Sequence, residues 1–448
     1  MSRVLDRVLA HGRDAMAFAA VESGMQHWFD RPPPHGTGAC VAFVQVTRRR
    51  VAAGGPLVEE EHRGRVASAF VADATASGEG ACFFATDSFH AEELSWLLLG
   101  RQPIFHPRAW LGGLAQHRRL REQLRRARAK GLRVRRVAAE ELVEGSALRA
   151  EVDGLAARWL AGRHLEPLAF LAAVEPFHHA EMHRYFVAEI GDRVVGFLSA
   201  VPIASRDGWL VEDVFRDFRA PNGTTESMLH GLMLAVRDSE MVTLGLTPLS
   251  GPVAPLLRLA RWTSRPLYDF AGLEAFRERL HPQAWEPVWM AYPRGRSPIP
   301  FVLSALRAFA RGSLVGFAVR SMLRRPSGLP WALALPLPAW TLLLLWIAGT
   351  RRAGLLGIER PQVLAWAALQ ALITLVLVRA ARSPERSRLA VATGLAATAA
   401  AIALAQLAVV GVGTTAVQAM LRLPEGVAPV VGTMLLGWAT ARAGGESI

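Results

Sequence analysis

A chain of 448 residues with 51% apolar content is too long for one ordinary domain and more hydrophobic than a typical soluble enzyme, so two or three domains are expected. The formal net charge of +13 calls for an anionic partner, RNA or acidic lipid headgroups, although Lys130 is the only lysine and the arginine excess also fits codon bias. Two cysteines, Cys40 and Cys82, and the absence of any zinc-type Cys/His spacing argue against a disulfide framework and against a structural metal.

The N-terminus, MSRVLDRVLAHGRDAM, carries charges throughout and lacks an apolar core of signal-peptide length, so the first domain is not expected to be secreted. From Val4 to Pro107 the pattern is mixed α/β. Residues 39–46 and 81–85 read as strands, and Glu60 to Ala76 reads as a helix with Val66, Ala69, Phe70 and Ala74 on its apolar face. Gln116 to Arg136 follows as a helical stretch in which nine arginines and Lys130 are opposed only by Glu122. Arg118, Arg121, Arg125, Arg128 and Lys130 are candidates for nucleic-acid phosphates, since such contacts neutralise backbone charge without reading sequence. A solvated basic face, or one resting on acidic lipid, is the competing interpretation.

A second α/β unit begins at Ala138, with a helix over Leu148–Leu160 and a hairpin of Tyr185–Ile190 and Val194–Val201 about the turn Gly191-Asp192. His178, His179 and His183 lack the acidic partner of a metalloprotease motif and read as solvated or substrate-proximal histidines. Trp209 to Phe215 alternates apolar and acidic residues as a strand ending at Arg216. Ala220-Pro221-Asn222-Gly223 breaks it, Thr224 opens a helix to about Val236, and a second strand follows. Backbone N–H groups at such a helix start, with Arg216 and Arg219 beside them, suit an anionic ligand.

Ser297 to Ser327 reads as a basic juxtamembrane linker at a bilayer surface, with Arg307, Arg311, Arg320, Arg324 and Arg325 among Phe301, Leu306, Phe309, Phe317 and Met322. From Pro326 onward 123 residues hold nine arginines, four glutamates and neither Asp nor Lys. Residues 326–350, 361–378 and 389–421 are each long enough to span a membrane, and 426–441 is a shorter fourth candidate. The arginines before the first span and after the second place the preceding units in the cytosol.

Several of these segments carry a family resemblance. Asp213-Val-Phe-Arg216, then Ala220 to Thr224 with Glu226, then Leu244-Gly-Leu-Thr-Pro-Leu249 resemble the signature of the phosphatidylglycerol lysyltransferase (multiple peptide resistance factor) family. His11-Gly12, Arg158-Trp159-Leu160, Tyr268 to Leu273, Phe276 to Leu280 and Trp285-Glu-Pro287 fall in the same order, so the resemblance covers about residues 5 to 293. It departs from the family at Gly54-Gly55-Pro56, where a Gly-Asp-Pro turn is usual, and at Arg277 and Arg279, which replace lysines. It also departs in order, because the family's membrane region precedes its catalytic domain.

The resemblance implies tandem GNAT-like acyltransferase units, 1–137 and 138–296, followed by the linker 297–327 and a transmembrane region 328–448. It implies transfer of an amino acid from aminoacyl-tRNA to a membrane phospholipid at a bacterial inner membrane, without a cofactor or metal. Asp213, Arg216 and Glu226 are then the candidate catalytic residues, and Arg219, Asn222, Gly223, Thr224, Arg277 and Arg279 the candidate substrate contacts. The chief alternative is a coenzyme A-dependent acyltransferase, disfavoured because a loop with one glycine and a proline makes a poor pyrophosphate cradle. A non-catalytic module that binds tRNA or acidic lipid is the alternative from another class.

Overall fold

The computed structural model describes residues 3–317 except 32–35, 164–169, 173, 256, 259–260, 262–267, 311 and 315–316. The candidate membrane spans therefore lie outside the described residues, and no described helix is long and apolar enough to cross a membrane.

The α/β class expected from the sequence is observed, as a single mixed sheet of twelve strands. Its strands are β1 (Gln26–Phe29), β2 (Cys40–Val46), β3 (Arg49–Ala53), β4 (Gly80–Thr86), β5 (Leu94–Phe105) and β6 (Leu132–Val137). They continue as β7 (Arg184–Ile190), β8 (Arg193–Ile203), β9 (Gly208–Arg216), β10 (Met241–Thr243), β11 (Thr247–Pro248) and β12 (Ala284–Pro293). The spatial order is β1-β2-β3-β4-β12-β5-β10-β9-β8-β7-β6, with β11 also pairing β5.

Two of the pairings are parallel, β3 with β4 and β9 with β10. Each is a strand–turn–helix–strand crossover, the first through α2 (Arg63–Ala76) and the second through α6 (Thr224–Ala235). Period-2 alternation on the strands gives each half two apolar faces. Val66, Ala67, Phe70 and Ala74 of α2 cover Val41, Phe43, Ala52, Ala81 and Phe83. Met228, Leu229, Leu232 and Met233 of α6 likewise cover Phe186, Ala188, Val195 and Leu198.

The opposite face of the second half is covered by α5 (Ala147–Ala161), whose Val152 and Leu155 meet Tyr185, Val187, Phe197 and Phe215. On the first half the same position is taken by α8 (Ile299–Phe309), whose Phe301, Ala305 and Ala308 pack on Val46, Val51, Ala53 and Cys82. Ile299–Phe309, which falls within the segment expected at the bilayer surface, forms a helix whose buried face completes the core.

The remaining helices are α1 (Arg3–His11), α3 (Pro107–Gly113), α4 (Arg118–Ala129) and α7 (Phe270–Glu278). The basic helix is shorter than the reading of Gln116–Arg136, because Lys130 and Gly131 (φ 82°) turn the chain into β6. Arg133, Arg135 and Arg136 consequently lie on a strand, where Arg135 pairs with Glu141 and Glu189. Leu120, Leu124 and Ala127, spaced by four and three, bury one stripe of α4 and leave the guanidinium groups outside.

Candidate active site

The second crossover gathers the candidate residues. β9 pairs antiparallel with β8, and the register shifts between Ser199 and Ala200, so that Ser199 faces Asp213 whereas Ala200 faces Val211. Glu212 is the extra residue of a β-bulge, which breaks strict alternation and lets neighbouring carboxyls act on the same space. Asp213 is 6% exposed; its backbone N–H donates to Ser199 Oγ at 3.2 Å, and Ser199 Oγ lies 3.4 Å from its Oδ2. Burial, reinforced by the charge of Glu212 and offset in part by Ser199, pushes the Asp213 carboxyl up to about 8.

Glu212 is itself held by His183, with Nε2 3.1 Å from Oε2. The imidazole is buried, stacks on Tyr185 at 5.3 Å and has its Nδ1 3.0 Å from the carbonyl of His179. The Tyr185 hydroxyl donates to the carbonyl of Pro176 at 2.7 Å. The first half contributes Glu22, from the turn after residues 17–21. Burial and the charges of Glu212, Glu175 and Asp213 push its carboxyl up to about 9. That turn is tied to the second half by Ser23 Oγ donating to Glu175 at 2.7 Å and by His178 Nε2 lying 2.8 Å from the carbonyl of Val21. His178 and His179 meet edge to face at 4.4 Å while His183 holds Glu212, and no cluster suited to a metal ion exists among the described residues.

The sequence puts Asp213 and Arg216 together, facing the helix start at Thr224, where the arginine would keep the carboxylate charged. The structure separates them. Residues three apart on a strand point to opposite sheet faces, and the flanking residues confirm it: Phe215 packs on the α5 side and Val214 on the α6 side. Arg216 has no acidic partner among the described residues, and Asp213 sits in a site that favours its neutral form.

The connection after β9 is organised by Asp217, which is buried and which no sequence motif singles out. Its carboxylate accepts from Arg193 Nη2 at 3.0 Å and from the Arg219 backbone at 2.9 Å, with Arg158 Nε 3.7 Å away. This places the exposed Phe218 and Arg219 at the rim of a cleft of about 790 Å³ that Arg158, Arg193 and Asp217 also line. Asn222 is exposed, and Thr224 turns its hydroxyl back on the carbonyl of Pro221 at 2.7 Å.

Gly223 adopts φ 97° and supplies no capping side chain to α6. A Cβ there would meet the carbonyl oxygen of Gln123 at 2.7 Å, so the basic helix α4 packs directly on the start of α6. Glu226 is buried in the first turn of α6, where a carboxylate complements the helix dipole.

Arg277 and Arg279 are placed differently from one another. Arg277 donates to the carbonyls of Leu244 and Gly245 and to Thr247 Oγ1, at 2.5, 2.9 and 2.6 Å, and burial pulls its guanidinium down to about 10. It clamps the Leu244–Thr247 segment, whereas Arg279 is exposed. On α4, Arg118, Arg128 and Lys130 are exposed, Arg121 donates to the carbonyl of Ala115, and Arg125 is tied to Glu122 at 2.7 Å.

A family model described as "Phosphatidylglycerol lysyltransferase, C-terminal" matches residues 6–292. The chain belongs to that family. A solved C-terminal domain of a putative lysylphosphatidylglycerol synthetase from Agrobacterium fabrum shares the fold, with a TM-score of 0.59 and 22% identity, over 70% of this chain and 97% of the other. L-PGS from Bacillus licheniformis is comparable, with a TM-score of 0.58 and 18% identity, over 69% and 96%. No curated protein matches the chain. The matched residues include β9, the turn after it and α6, the part of the fold described above.

Proposed function

We propose that this family member transfers an amino acid from aminoacyl-tRNA to a hydroxyl of a membrane lipid such as phosphatidylglycerol, with its folded unit on the cytosolic side of a bacterial inner membrane. The observation that carries the reading is the carboxyl pair at the β9 bulge, a buried acid beside a carboxylate held by His183, one strand end from an arginine-bearing turn. The lipid hydroxyl attacks the aminoacyl ester carbonyl, the bond from that carbonyl to the tRNA ribose oxygen breaks, and the ribose oxygen leaves as a hydroxyl. Glu212 is placed to take the proton of the attacking hydroxyl. Asp213, neutral below about pH 8, is placed to protonate the leaving oxygen.

Arg216, on the sheet face opposite Asp213, and Arg219, at the cleft rim, then hold phosphates of the carrier rather than the developing oxyanion, so that their loss weakens carrier binding. The turn Ala220-Pro221-Asn222-Gly223 supports an aminoacyl carrier over coenzyme A, since Pro221 has no N–H to offer a pyrophosphate. Mass spectrometry of lipids extracted from cells with and without the gene tests the reading. Appearance of an aminoacylated lipid only with the gene is expected; identical lipid profiles, together with no transfer by purified protein given aminoacyl-tRNA and phosphatidylglycerol, would overturn it.

A further inference from the structure

Helix α8 has a second face. While Phe301, Ala305 and Ala308 enter the core, Ile299, Leu303 and Leu306 stand 51%, 39% and 47% exposed, spaced by four and three so that they form one stripe. Among the described residues the other exposed large apolar side chains, Val143, Phe218 and Leu234, are scattered over the fold. Scattered apolar residues need no explanation, but a contiguous stripe on a helix already anchored by its other face does.

Phe301 sits 5.9 Å from Tyr292, and Phe309 sits 5.4 Å from Phe84, so the aromatic residues of this segment are consumed by packing. The aliphatic stripe is what remains outside. Two observations point to what covers it. Arg296 and Arg307 flank the stripe in sequence, and neither has an acidic partner among the described residues. Aliphatic residues bordered by unpaired arginines match an interface with acyl chains below and acidic headgroups around. The chain also continues from α8 into more than a hundred residues without Asp or Lys.

We propose that the outward stripe of α8 rests in the surface of an anionic bilayer and fixes how the sheet is presented to its lipid substrate. The proposal does not depend on which group is transferred, only on the occupant of this face. Helix α8 is thereby bifunctional, closing the core of the first crossover on one side and seating it on lipid on the other.

The test uses the full chain in vesicles of phosphatidylcholine and phosphatidylglycerol. Cys40 and Cys82 are both buried out of reach of a labelling reagent, so a single new surface cysteine reports alone. A fluorophore on Leu303→Cys is expected to lose most of its emission to a nitroxide-bearing lipid and to be shielded from iodide. The same label on Leu234→Cys, exposed on α6, is expected to respond in the opposite way. Arg296→Glu combined with Arg307→Glu is expected to reduce the lipid quenching at 303. Equal responses at 303 and 234 would overturn the proposal. So would shielding from iodide at 303 without lipid quenching, which would mean that this chain's own C-terminal segment or a second copy covers the stripe.

Discussion

The two parallel crossovers differ most at the turn that joins strand to helix. After β3, Gly54 and Gly55 lead toward α2, and the space beside them is filled from within. Asp14 accepts the Gly55 N–H at 2.6 Å and the Asp87 N–H at 2.7 Å, and Arg63, 1% exposed, bonds Asp87 at 2.5 Å and reaches Asp14 at 3.4 Å. A Cβ on Gly55 would meet the Arg63 guanidinium at 2.5 Å. After β9 the corresponding turn holds Arg216 and Arg219, whose guanidinium groups have no acidic partner among the described residues, and an adjoining cleft. The same backbone device offers N–H groups to an anion in both halves. Each half seats a buried aspartate on a turn N–H, Asp14 on Gly55 and Asp217 on Arg219; the first half adds the buried Arg63 and fills the space, whereas the second leaves the Arg216 and Arg219 guanidinium groups without an acidic partner among the described residues.

The largest effect separating the halves is expected from Asp213→Asn. Removing a general acid typically costs about 10²–10⁴-fold in turnover. Stability should move the other way. A carboxyl raised from its ordinary value to about 8 contributes stability that is full below the unfolded pKa and is lost as pH rises through the folded one. Thermal unfolding of Asp213→Asn should therefore exceed wild type increasingly from about pH 4 to pH 8, by an amount on the order of a few kcal/mol. A variant with unchanged turnover, or with no alkaline gain in stability, would make this aspartate an ordinary core residue.

Arg63→Met should reverse that pattern. It leaves Asp14 and Asp87 without their shared cation, and breaking a buried pair of this kind costs about 3 kcal/mol or more. The lower end applies because the Asp87 side chain keeps 33% of its surface in water. The melting temperature should fall while turnover per folded molecule stays close to wild type. Loss of turnover in a folded variant would put chemistry in the first half as well.

A smaller effect is expected at the joint between α4 and α6. Gly223→Ala meets both an unfavourable φ of 97° and the Gln123 carbonyl, and should cost about 1–3 kcal/mol. Gly131→Ala carries the positive φ, 82°, with nothing within 4 Å of the added Cβ. If Gly223→Ala weakens tRNA binding and Gly131→Ala does not, the packing of the two helices is what aligns the basic surface with the turn. Equal effects would reduce both to backbone strain.

The second crossover was legible because its residues are punctuated: alternation to Phe215, a Pro-Asn-Gly break, then a helical period from Thr224. The strands that join the halves were not. β5 carries Gly100 and Pro103 in its interior, and a proline ordinarily demotes a run from a central strand, yet β5 lies between β12 and β10. Trp285 opposes Pro103 and Pro287 opposes Arg101, so the long pairing with β12 tolerates two prolines that no local rule would place there. The site was half legible. Asp213, Arg216 and the turn were singled out by the family resemblance, but the bulge that brings Glu212 to bear on Asp213 depends on a register with Ser199, and Glu22 and His183 arrive from other elements. Asp217 was hidden in plain view, since nothing in a loop sequence tells a buried organising carboxylate from a solvated one.

The smallest effects concern α4, and its arginines are not equivalent. Arg125 and Arg126 already share Glu122, and Arg121 donates to the carbonyl of Ala115, whereas Arg118, Arg119 and Arg128 have no acidic partner among the described residues. A phosphate gains most from a cation that no carboxylate has claimed. Replacing Arg118, Arg119 and Arg128 by Gln should therefore lower the slope of log affinity for tRNA against log salt by roughly one for each phosphate left without its arginine. Replacing Arg121, Arg125 and Arg126, again three charges, should change it less. The two variants remove similar numbers of charges from one exposed helix face, so a general decrease in positive potential predicts slopes in proportion to charge removed. Only direct pairing with phosphates predicts the inequality. Should both variants bind tRNA as wild type does but release anionic vesicles, the basic helix serves the membrane, and the aminoacyl carrier approaches the open turn from the cleft beside Phe218 instead.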